Sequence, residues 1–236
     1  MAAERVKAII ERAREEGRKK LLEHESYDVL REYGLPVPKA GLATTEDEAV
    51  KLAESIGYPI VAKIVSPDIV HKSDVGGVKV GLKDADAVRE GFRAIMKNVK
   101  EKAPSAKVTG VLIQEMVPEG LEVIVGSTRD PTFGPVLMFG LGGIFVEVLK
   151  DVSFRIAPVT RYDAETMLTE IKAAKILEGY RGAPPRDKAA LADIIVKLSK
   201  FMEEQELVTD VDLNPIMAFE EGKGAKIADA RVLIKA

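Results

Sequence analysis

Apolar and polar residues along the first part of the chain follow helical spacing. Apolar positions recur among dense charges from about Ala3 to Leu22, and a second helix is predicted from Ser26, a favourable N-cap residue, to Gly34. Pro36 and Pro38 then forbid further helix. The first helix is expected to be exposed with a narrow buried stripe, and such a face often packs on a partner protein.

The next segments predict helices and strands in alternation. Thr45 followed by Glu48 is a capping-box pattern for a helix that ends near Gly57, and the apolar run from Ile60 to Val65 predicts a strand. The elements predicted after it are a strand at Val78 to Leu82, a helix from Asp84 to about Lys102 and a strand at Val108 to Val117. This half of the chain is therefore expected to be mixed α/β.

Short strands and two helices are predicted in the second half. Three strand candidates are expected to be neighbours in an antiparallel sheet: Leu121 to Ser127, Val136 to Phe139 and Ile144 to Leu149. The later elements are helices at about Asp163 to Leu177 and Arg186 to Glu204, and strands near Val208 to Leu213 and Ala225 to Ile234. The whole pattern predicts an α/β (α+β) fold of two lobes, with a boundary at Pro118 to Gly120.

Composition and charge narrow the classes of function. The 236 residues carry 35 basic and 38 acidic side chains, a formal charge of -3, so no basic excess favours binding to nucleic acid or to an anionic membrane. No apolar run reaches the roughly 18 residues of a membrane span, and the charged N-terminus is unlike a signal peptide, so a cytoplasmic protein is expected. With no cysteine and two histidines, any metal site is expected to use oxygen ligands.

Lys63 interrupts the otherwise apolar strand from Ile60 to Val65. Desolvating an ammonium group is costly unless an anion or a carboxylate lies beside it. A nucleotide phosphate would meet this need. A buried ion pair, or an edge strand on which Lys63 faces solvent, is also compatible with the pattern.

His71 lies at the centre of a polar loop, Ser66 to Gly77, between two predicted strands. A neutral imidazole is a competent nucleophile towards phosphorus near neutral pH. The pair Gly76 and Gly77 would let the backbone approach a ligand closely. The alternative is an exposed loop histidine without a catalytic task. His24 lies in a charged helical stretch and is interpreted as a surface residue.

Glu115, Met116 and Val117 end a predicted strand, and Glu122 follows soon after. Backbone groups there could bond the edge of an adenine, and carboxylates could accept hydrogen bonds from its amine and from ribose hydroxyls. Polar residues are common at strand ends, so this pattern alone does not decide between a binding site and an ordinary strand end.

Gly140, Gly142 and Gly143 form a short glycine cluster between predicted strands. The cluster lacks the Lys-Ser/Thr pair of a Walker loop and the strand-to-helix context of a dinucleotide fingerprint. A tight turn is therefore preferred over a phosphate cradle.

Asp212, Asn214 and Asp229 are the candidate metal ligands. Alternate residues of a strand point to one side, so Asp212 and Asn214 share a face, and Pro215 ends the pairing there. Mg²⁺ prefers few protein oxygens together with water and phosphate oxygens, which this set with a bound nucleotide would provide. An Asx-type turn at Asn214 and a salt bridge between Asp229 and Arg231 form the alternative.

Four segments, taken in order, resemble an ATP-grasp subunit. They are LREYGLPVP from Leu30, PIVAKIVSPDIVHKSDVGGVKVGL from Pro59, QEMV from Gln114 and DLNPI from Asp212. More narrowly, the chain resembles the β subunits of archaeal ADP-forming acetyl-CoA synthetases, and the block from Pro59 to Leu82 is the most specific part of the match. The resemblance implies an ATP-grasp fold of two lobes with the nucleotide bound between them.

In that family, acyl-CoA, ADP and phosphate give acid, CoA and ATP, and histidine carries the phosphoryl group. By matching position, the resemblance implies that His71 is a phosphoryl carrier that passes the group to ADP. The further roles that it implies are nucleotide phosphate contact for Lys63, the adenine hinge for Glu115, Met116 and Val117, ribose contact for Glu122, and Mg²⁺ binding for Asn214 and Asp229 with Asp212 adjacent.

The implied organisation is an N-terminal amphipathic helix over residues 1–25, an N-terminal ATP-grasp lobe with the His71 loop over 26–118, and a C-terminal lobe with the Mg²⁺-binding strands over 119–236. The implied partner is a CoA-binding α subunit in an α2β2 heterotetramer, and the charged N-terminal helix is a candidate contact. Neither nucleic acid nor a membrane is expected as a partner. Two alternatives stay open: a self-sufficient ATP-grasp carboxylate ligase, and a non-catalytic ATP-grasp-like regulatory domain.

Overall fold

The computed structural model describes residues 2–69, 71–143, 146 and 148–235. None of the helices within these residues is both long and apolar enough to cross a membrane. The chain forms two compact units, each discontinuous in sequence. The unit here called N-terminal contains Leu22–Tyr27 and Pro38–Met116, and the unit called C-terminal contains Met1–Leu21, Asp28–Val37 and Val117–Ala236. The lobe boundary predicted at residue 118 lies beside the change of unit after Met116, whereas residues 28–37 group with the C-terminal unit.

The N-terminal unit is an antiparallel sheet with two helices on one face. Its elements are the start of α2 (Glu23–Glu32), β1 (Ala40–Ala43), α3 (Glu46–Ile56), β2 (Ile60–Val65), β3 (Val78–Leu82), α4 (Ala85–Lys102) and β4 (Gly110–Glu115). The strand order is β1-β4-β2-β3, and the pairs are antiparallel. Alternate residues of β2 and β4, such as Ile64 and Ile113, join the core formed with α3 and α4. The opposite face of β2 carries Lys63.

Both of these helices begin where the sequence predicts. The hydroxyl of Thr45 accepts the N–H of Glu48 at 3.3 Å, and the Glu48 carboxylate accepts the N–H of Thr45 at 3.3 Å, which completes a capping box for α3. Asp84 caps α4 by accepting the N–H of Ala87 at 2.8 Å. Each cap satisfies donors that the first helical turn leaves unbonded. The two predicted caps are therefore confirmed.

The first two helices differ from the sequence expectation. α1 (Ala2–Glu15) belongs to the C-terminal unit. Its apolar stripe is buried within the chain at Val6, Ile10 and Ala13. The narrow buried stripe is as predicted, and a contact of this charged helix with a partner stays a prediction. The helix end predicted near Leu22 is wrong, because α1 ends at Glu15. α2 begins at Glu23, and Ser26 is a buried helical residue, so the N-cap predicted at Ser26 is also wrong. The helix contributes its first residues to the N-terminal unit and its last residues to the C-terminal unit.

The C-terminal unit is built on a second antiparallel sheet. Its further elements are β5 (Leu121–Asp130), β6 (Gly134–Leu141), β7 (Val152–Ile156), α5 (Arg161–Glu170), a 3-10 turn (Ala174–Ile176), α6 (Lys188–Glu204), β8 (Val208–Ala218), β9 (Ala225–Ile227) and β10 (Ala230–Ile234). The strand order is β10-β8-β5-β6-β7, and β9 pairs with β8. α5 and α6 pack on β5, β6 and β7, and the side chains of Leu137 and Phe139 are buried.

The third strand of this unit starts later than predicted. The predicted strand at Ile144 to Leu149 falls partly on residues 144, 145 and 147, which lie outside the described residues. Val148 and Leu149 form a turn, so the strand prediction is wrong at these positions. The chain pairs with β6 only from Val152 onwards.

The helix predicted from Asp163 to Leu177 is interrupted. Helix α5 ends at Glu170, and the chain then makes a turn before the 3-10 turn. The buried carboxylate of Asp151 accepts the N–H of Lys172 at 2.7 Å and that of Ala173 at 2.8 Å. Because these donors are bonded to a side chain, they do not continue the helical ladder.

Tyr33 follows α2 and joins it to the end of α6 within the C-terminal unit. Its hydroxyl donates to Oε2 of Glu204 at 2.8 Å and accepts from Nε2 of Gln205 at 2.7 Å. Its ring meets that of Phe201 edge-on, with centroids 5.0 Å apart. Partial burial, together with the Glu204 carboxylate, raises the pKa of Tyr33 to about 12.

We expect the Tyr33 phenol to ionise near pH 12 instead of the ordinary value of 10.0. The folded protein favours the neutral phenol, so this contribution to stability is complete below the ordinary pKa and is lost as the pH rises through about 12. The ultraviolet difference spectrum between wild type and Tyr33→Phe, recorded from about pH 9 to about pH 13, isolates this group. A midpoint near the ordinary tyrosine value would contradict the expectation.

Candidate functional site

Lys63 lies on β2, which pairs with β3 on one side and with β4 on the other. Its Cα partners are Val78 and Leu112, so the edge-strand alternative is wrong. The side chain is half-buried on the sheet face that turns away from α3 and α4. On the same face the buried Gln114 accepts a hydrogen bond from the hydroxyl of Tyr27 at 3.0 Å. Lys63 therefore presents its ammonium group from an interior strand, where its stem is constrained.

His71 lies in the loop between β2 and β3 and is exposed. The residues on either side of it are anchored. Before it, the carboxylate of Asp68 accepts the N–H of Lys107 at 2.6 Å. After it, Nζ of Lys72 lies 2.6 Å from Oε1 of Glu23. The loop therefore presents an exposed imidazole between two fixed points.

Gly76 and Gly77 pack against the chain itself. A Cβ on Gly76, whose φ is +66°, would lie 2.6 Å from Nδ2 of Asn98 on α4, and a Cβ on Gly77 would lie 2.5 Å from a methyl carbon of Ile64. The Asn98 amide also donates to the carbonyl of Gly76 at 3.1 Å. These glycines thus allow a close approach to β2 and α4, and the approach of a ligand to them stays a prediction.

Glu115, Met116 and Val117 leave β4 at the change of unit. The N–H of Glu115 donates to the carbonyl of Lys39 at 2.8 Å, and the N–H of Met116 donates to the carbonyl of Pro59 at 3.3 Å. The Glu115 carboxylate accepts the N–H of Lys39 at 3.1 Å. These groups are used inside the N-terminal unit, so the predicted adenine contact depends on the other backbone groups of the segment and stays a prediction.

Asp212 lies in the middle of the C-terminal sheet, on β8. Its Cα partners are Gly126 of β5 and Arg231 of β10. The carboxylate forms an ion pair with Arg231 at 3.4 Å. Burial raises the pKa of Asp212 above its ordinary value, Arg231 lowers it and the nearby charge of Asp229 raises it. The partly buried carboxylate of Asp212 therefore lies in an environment in which a divalent cation would offset negative charge.

Asn214 lies within β8, opposite Asp229, which immediately precedes β10. The N–H of Asn214 donates to the carbonyl of Asp229 at 3.2 Å, which continues the register that pairs Asp212 with Arg231. Opposite residues of an antiparallel pair point to the same side, as do alternate residues of one strand. The structure therefore brings the three predicted Mg²⁺ ligands to one face of the sheet.

This set fits Mg²⁺ better than it fits a metal that needs a full protein cage. Within the part of the chain that the structure describes, no group of three or more histidine, aspartate or glutamate side chains is arranged to hold a metal ion. Two aspartates and an asparagine supply few protein oxygens, and Mg²⁺ normally completes its shell with water and phosphate oxygens. The role of the three residues stays a prediction.

Glu122 is exposed on β5, with Met217 of β8 as its Cα partner. Its carbonyl accepts the N–H of Gly142 at 2.8 Å, and a Cβ on Gly142 would lie 3.0 Å from the Cβ of Glu122. A Cβ on Gly140 would lie 2.9 Å from the carbonyl oxygen of Asp151. The glycine cluster thus packs against its own unit, which supports a tight turn. The ribose contact of Glu122 stays a prediction.

The predicted site residues divide between the two units. The N-terminal unit contains Lys63, His71, Glu115 and Met116, and the C-terminal unit contains Val117, Glu122, Asp212, Asn214 and Asp229. The N-terminal group includes an ammonium and an imidazole, and the C-terminal group includes carboxylate and amide oxygens.

Glu23 is a residue of interest that sequence reasoning missed. It is buried at the start of α2 and is paired with the residue that follows His71. A charged helical stretch hides such a residue among surface acids. The apolar residues Leu21, Leu22 and Tyr27 around it are the signal that could have indicated burial. His24, interpreted as a surface residue, is half-buried.

Comparison with protein families gives a match over nearly the whole chain. The family model described as the ATP-grasp domain matches residues 12–234. The chain belongs to the ATP-grasp family. The family and the fold class predicted from the sequence are therefore confirmed.

Two ATP-grasp relatives differ in how much of their length this chain spans. The ADP-forming acetate-CoA ligase I subunit beta of Pyrococcus furiosus is 52% identical over 230 residues, which are 98% of this chain and 98% of that protein. The ADP-forming 4-hydroxybutyrate-CoA ligase of Nitrosopumilus maritimus is 48% identical over 228 residues, which are 97% of this chain and 33% of that protein. This ATP-grasp chain thus matches one relative end to end and about a third of the other.

Solved structures of the dinucleotide forming acetyl-coenzyme A synthetase 1 of Ca. Korarchaeum cryptofilum share this ATP-grasp fold. One of them contains coenzyme A and acetyl-coenzyme A and has a phosphorylated phosphohistidine segment in a site I orientation. Its TM-score is 0.92 at 46% sequence identity, and the match covers 98% of this chain and 100% of that chain. Another contains coenzyme A and Mg-AMPPCP, and its phosphohistidine segment points towards the nucleotide binding site. Its TM-score is 0.87 at 44% sequence identity, and the match covers 98% of this chain and 100% of that chain.

Proposed function

We propose that this chain is the nucleotide-binding β subunit of an ADP-forming acetyl-CoA synthetase, which converts acetyl-CoA, ADP and phosphate to acetate, CoA and ATP. The observation that carries the proposal is the exposed His71, held between two anchored residues. The end-to-end match to the Pyrococcus furiosus β subunit supports it, as do the names of the relatives, which are ADP-forming CoA ligases.

His71 acts as a phosphoryl carrier in this proposal. The unprotonated imidazole nitrogen attacks the phosphorus of a phosphohistidine on the partner subunit; a P–N bond forms to His71 as the P–N bond to the donor ring breaks. In the second step, a terminal oxygen of ADP attacks the same phosphorus. A P–O bond forms, the P–N bond of His71 breaks with its electron pair returning to the ring, and ATP results. The His71 segment takes one orientation to receive the group and another to deliver it. The two orientations of the phosphohistidine segment in the Korarchaeum structures, site I and towards the nucleotide binding site, support this step.

The other site residues bind and position the nucleotide. Phosphoryl transfer needs in-line positioning and charge neutralisation more than covalent help from the protein. Lys63 neutralises phosphate oxygens. Asp212, Asn214 and Asp229 hold Mg²⁺, which when bound supplies further neutralisation of phosphate charge. The adenosine contacts in the proposal are Glu115, Met116 and Val117 for adenine and Glu122 for ribose.

The chain works with a partner in this proposal. The subunit name of the Pyrococcus furiosus relative implies a second chain, and the Nitrosopumilus maritimus relative carries about two thirds of its length outside the matched region. The partner is a CoA-binding α subunit that forms the acyl phosphate and bears the first phosphohistidine. The assembly is an α2β2 heterotetramer.

Radiolabelled phosphate tests the proposal. The chain is mixed with its α subunit, acetyl-CoA and ³²P-phosphate, quenched in alkali that preserves phosphohistidine, and mapped by peptide analysis. We expect label on the peptide that contains His71, and we expect it to move to ATP when ADP and Mg²⁺ are added. Labelled ATP formed without any label on this chain would refute the carrier role. Acetate-dependent ADP release by the chain alone would favour a self-sufficient ligase instead.

A further inference from the structure

Lys72 and Glu23 form a buried ion pair directly beside His71. Nζ of Lys72 lies 2.6 Å from Oε1 of Glu23, and the two side chains are 14% and 4% exposed. By contrast, the pair of Lys97 and Glu101 on α4, in the same unit, has side chains that are 74% and 61% exposed. The charges of the Lys72–Glu23 pair are therefore much less exposed to water than those of a surface pair.

Burial gives this pair energetics that differ from those of an exposed pair. An exposed pair contributes little, because water and salt screen the charges whether or not they touch. The Lys72 ammonium and the Glu23 carboxylate have both lost much of their hydration, so separating the two charges while both stay inside the protein is costly. Two arrangements avoid that penalty: both charges paired inside, or both returned to water. A contact of this kind therefore favours two discrete states, and intermediate arrangements are rarely populated.

Lys72 is placed where it can control His71. It follows His71 directly in the chain, and its carbonyl accepts the N–H of Gly77 at 2.8 Å. The carbonyl of Gly77 accepts the N–H of Ile64 on β2 at 2.7 Å. Lys72 is thus the first residue of a turn that is hydrogen-bonded to β2, and the exposed His71 immediately precedes this turn.

Glu23 is placed on a fixed support. It is the first residue of α2, and the N–H before it, on Leu22, donates to Oε2 of Glu25 at 2.8 Å. One turn later the hydroxyl of Tyr27 donates to Gln114 on β4. The start of α2 is therefore held on the N-terminal sheet, and the ion pair ties the segment that bears His71 to this support.

We propose that the Lys72–Glu23 pair is a latch that positions His71. While the pair is formed, it holds the segment that bears His71 in one of its two orientations. The pair breaks when the segment moves to the other orientation. Lys72 acts through His71 and does not touch the phosphoryl group, so it is a positioning residue. This inference rests on the proposed carrier function of His71.

A latch predicts an asymmetric effect on the two half-reactions. Lys72→Met keeps an unbranched apolar stem but removes the cation that pairs with Glu23. The orientation in which Lys72 is paired with Glu23 then loses its support, while the other orientation is unaffected. The half-reaction that uses the supported orientation should slow, and the other should not. If the pair had a purely structural role, its loss would lower both rates by the same factor, because a smaller fraction of the protein would be folded.

The two rates can be measured separately in the assembled complex with the α subunit. One is the labelling of His71 from ³²P-phosphate and acetyl-CoA, and the other is its labelling from γ-³²P-ATP and Mg²⁺. We expect the ratio of the two rates in Lys72→Met to differ from that of wild type by about tenfold or more. Glu23→Gln should change the ratio in the same direction, and Lys72→Arg, which keeps a cation, should restore it. Lys97→Met, which breaks the exposed pair, should leave it unchanged.

An unchanged ratio in Lys72→Met and Glu23→Gln, whatever the absolute rates, overturns the latch. If neither variant folds, amide exchange of the wild-type complex decides. Protection of the Gly77 amide must then differ between the complex with acetyl-CoA and phosphate and the complex with Mg-AMPPCP; equal protection overturns the latch. A wild-type chain that is labelled in neither half-reaction shows instead that the carrier function itself is wrong.

Discussion

Replacing His71 with alanine should lower ATP formation by the assembled complex by about a thousandfold or more. The imidazole carries the phosphoryl group in the proposed reaction, and alanine offers no nucleophile in its place. Because His71 is exposed in its loop, the substitution should leave the melting temperature and the affinity for ADP at their wild-type values. Initial rates of ATP formation from acetyl-CoA, ADP and phosphate, with calorimetry on the same samples, measure both parts of this expectation.

His24→Gln is the matched control, because it removes the only other histidine of the chain. His24 is half-buried on α2, so a small loss of melting temperature is expected, but turnover per folded complex should stay within about twofold of wild type. If His71→Ala keeps more than about a tenth of the wild-type turnover, the phosphoryl group reaches ADP without this histidine.

Replacing Asp229 with asparagine should weaken Mg²⁺-dependent binding of ADP by about 100-fold. The substitution keeps the size of the side chain and one oxygen but removes the negative charge that a divalent cation requires. Binding of ADP without Mg²⁺ should change by less than about threefold, because the nucleotide contacts are elsewhere. Titration calorimetry of the complex with ADP, at saturating and at zero Mg²⁺, separates the two effects.

Asp210→Asn provides the comparison for this experiment. Asp210 lies on β8, two residues before Asp212, and its carboxylate accepts a hydrogen bond from Thr128 at 2.7 Å. Loss of this charge tests whether any acid on this part of the strand supports Mg²⁺. Equal weakening in Asp210→Asn and Asp229→Asn, or equal weakening of Asp229→Asn with and without Mg²⁺, would rule out a specific ligand role.

Features set by neighbouring residues could be predicted from the sequence. The caps at Thr45 and Asp84 depend on donors three residues away, and both are present. The helix predicted to reach Leu177 fails because Asp151, well before it in the chain, takes two backbone donors. Local propensity contains no information on such a contact, so the error could not be avoided without the tertiary structure.

The candidate site shows the same division. Strand alternation was enough to place Asp212 and Asn214 on one face. The ion pair of Asp212 with Arg231 depends on the register of β8 and β10, which a single sequence does not reveal. The role of His71 came from resemblance to a family, since an isolated loop histidine has no distinguishing pattern. The pairing of Lys72 with Glu23 could not be predicted, because the two residues are far apart in the chain.

The discontinuity of the compact units limits how this protein can be divided. Neither unit is one continuous stretch, and α2 contributes to both. A single cut after Met116 would separate residues 1–21 and 28–37 from the rest of the C-terminal unit. The first fragment would then contain the N-terminal unit together with these pieces, and the second would contain an incomplete C-terminal unit. Joining further sequence to an end breaks no such connection. Fusion to other domains is therefore an easier evolutionary step for this chain than fission, in keeping with the relative in which the matching region is about a third of a longer polypeptide.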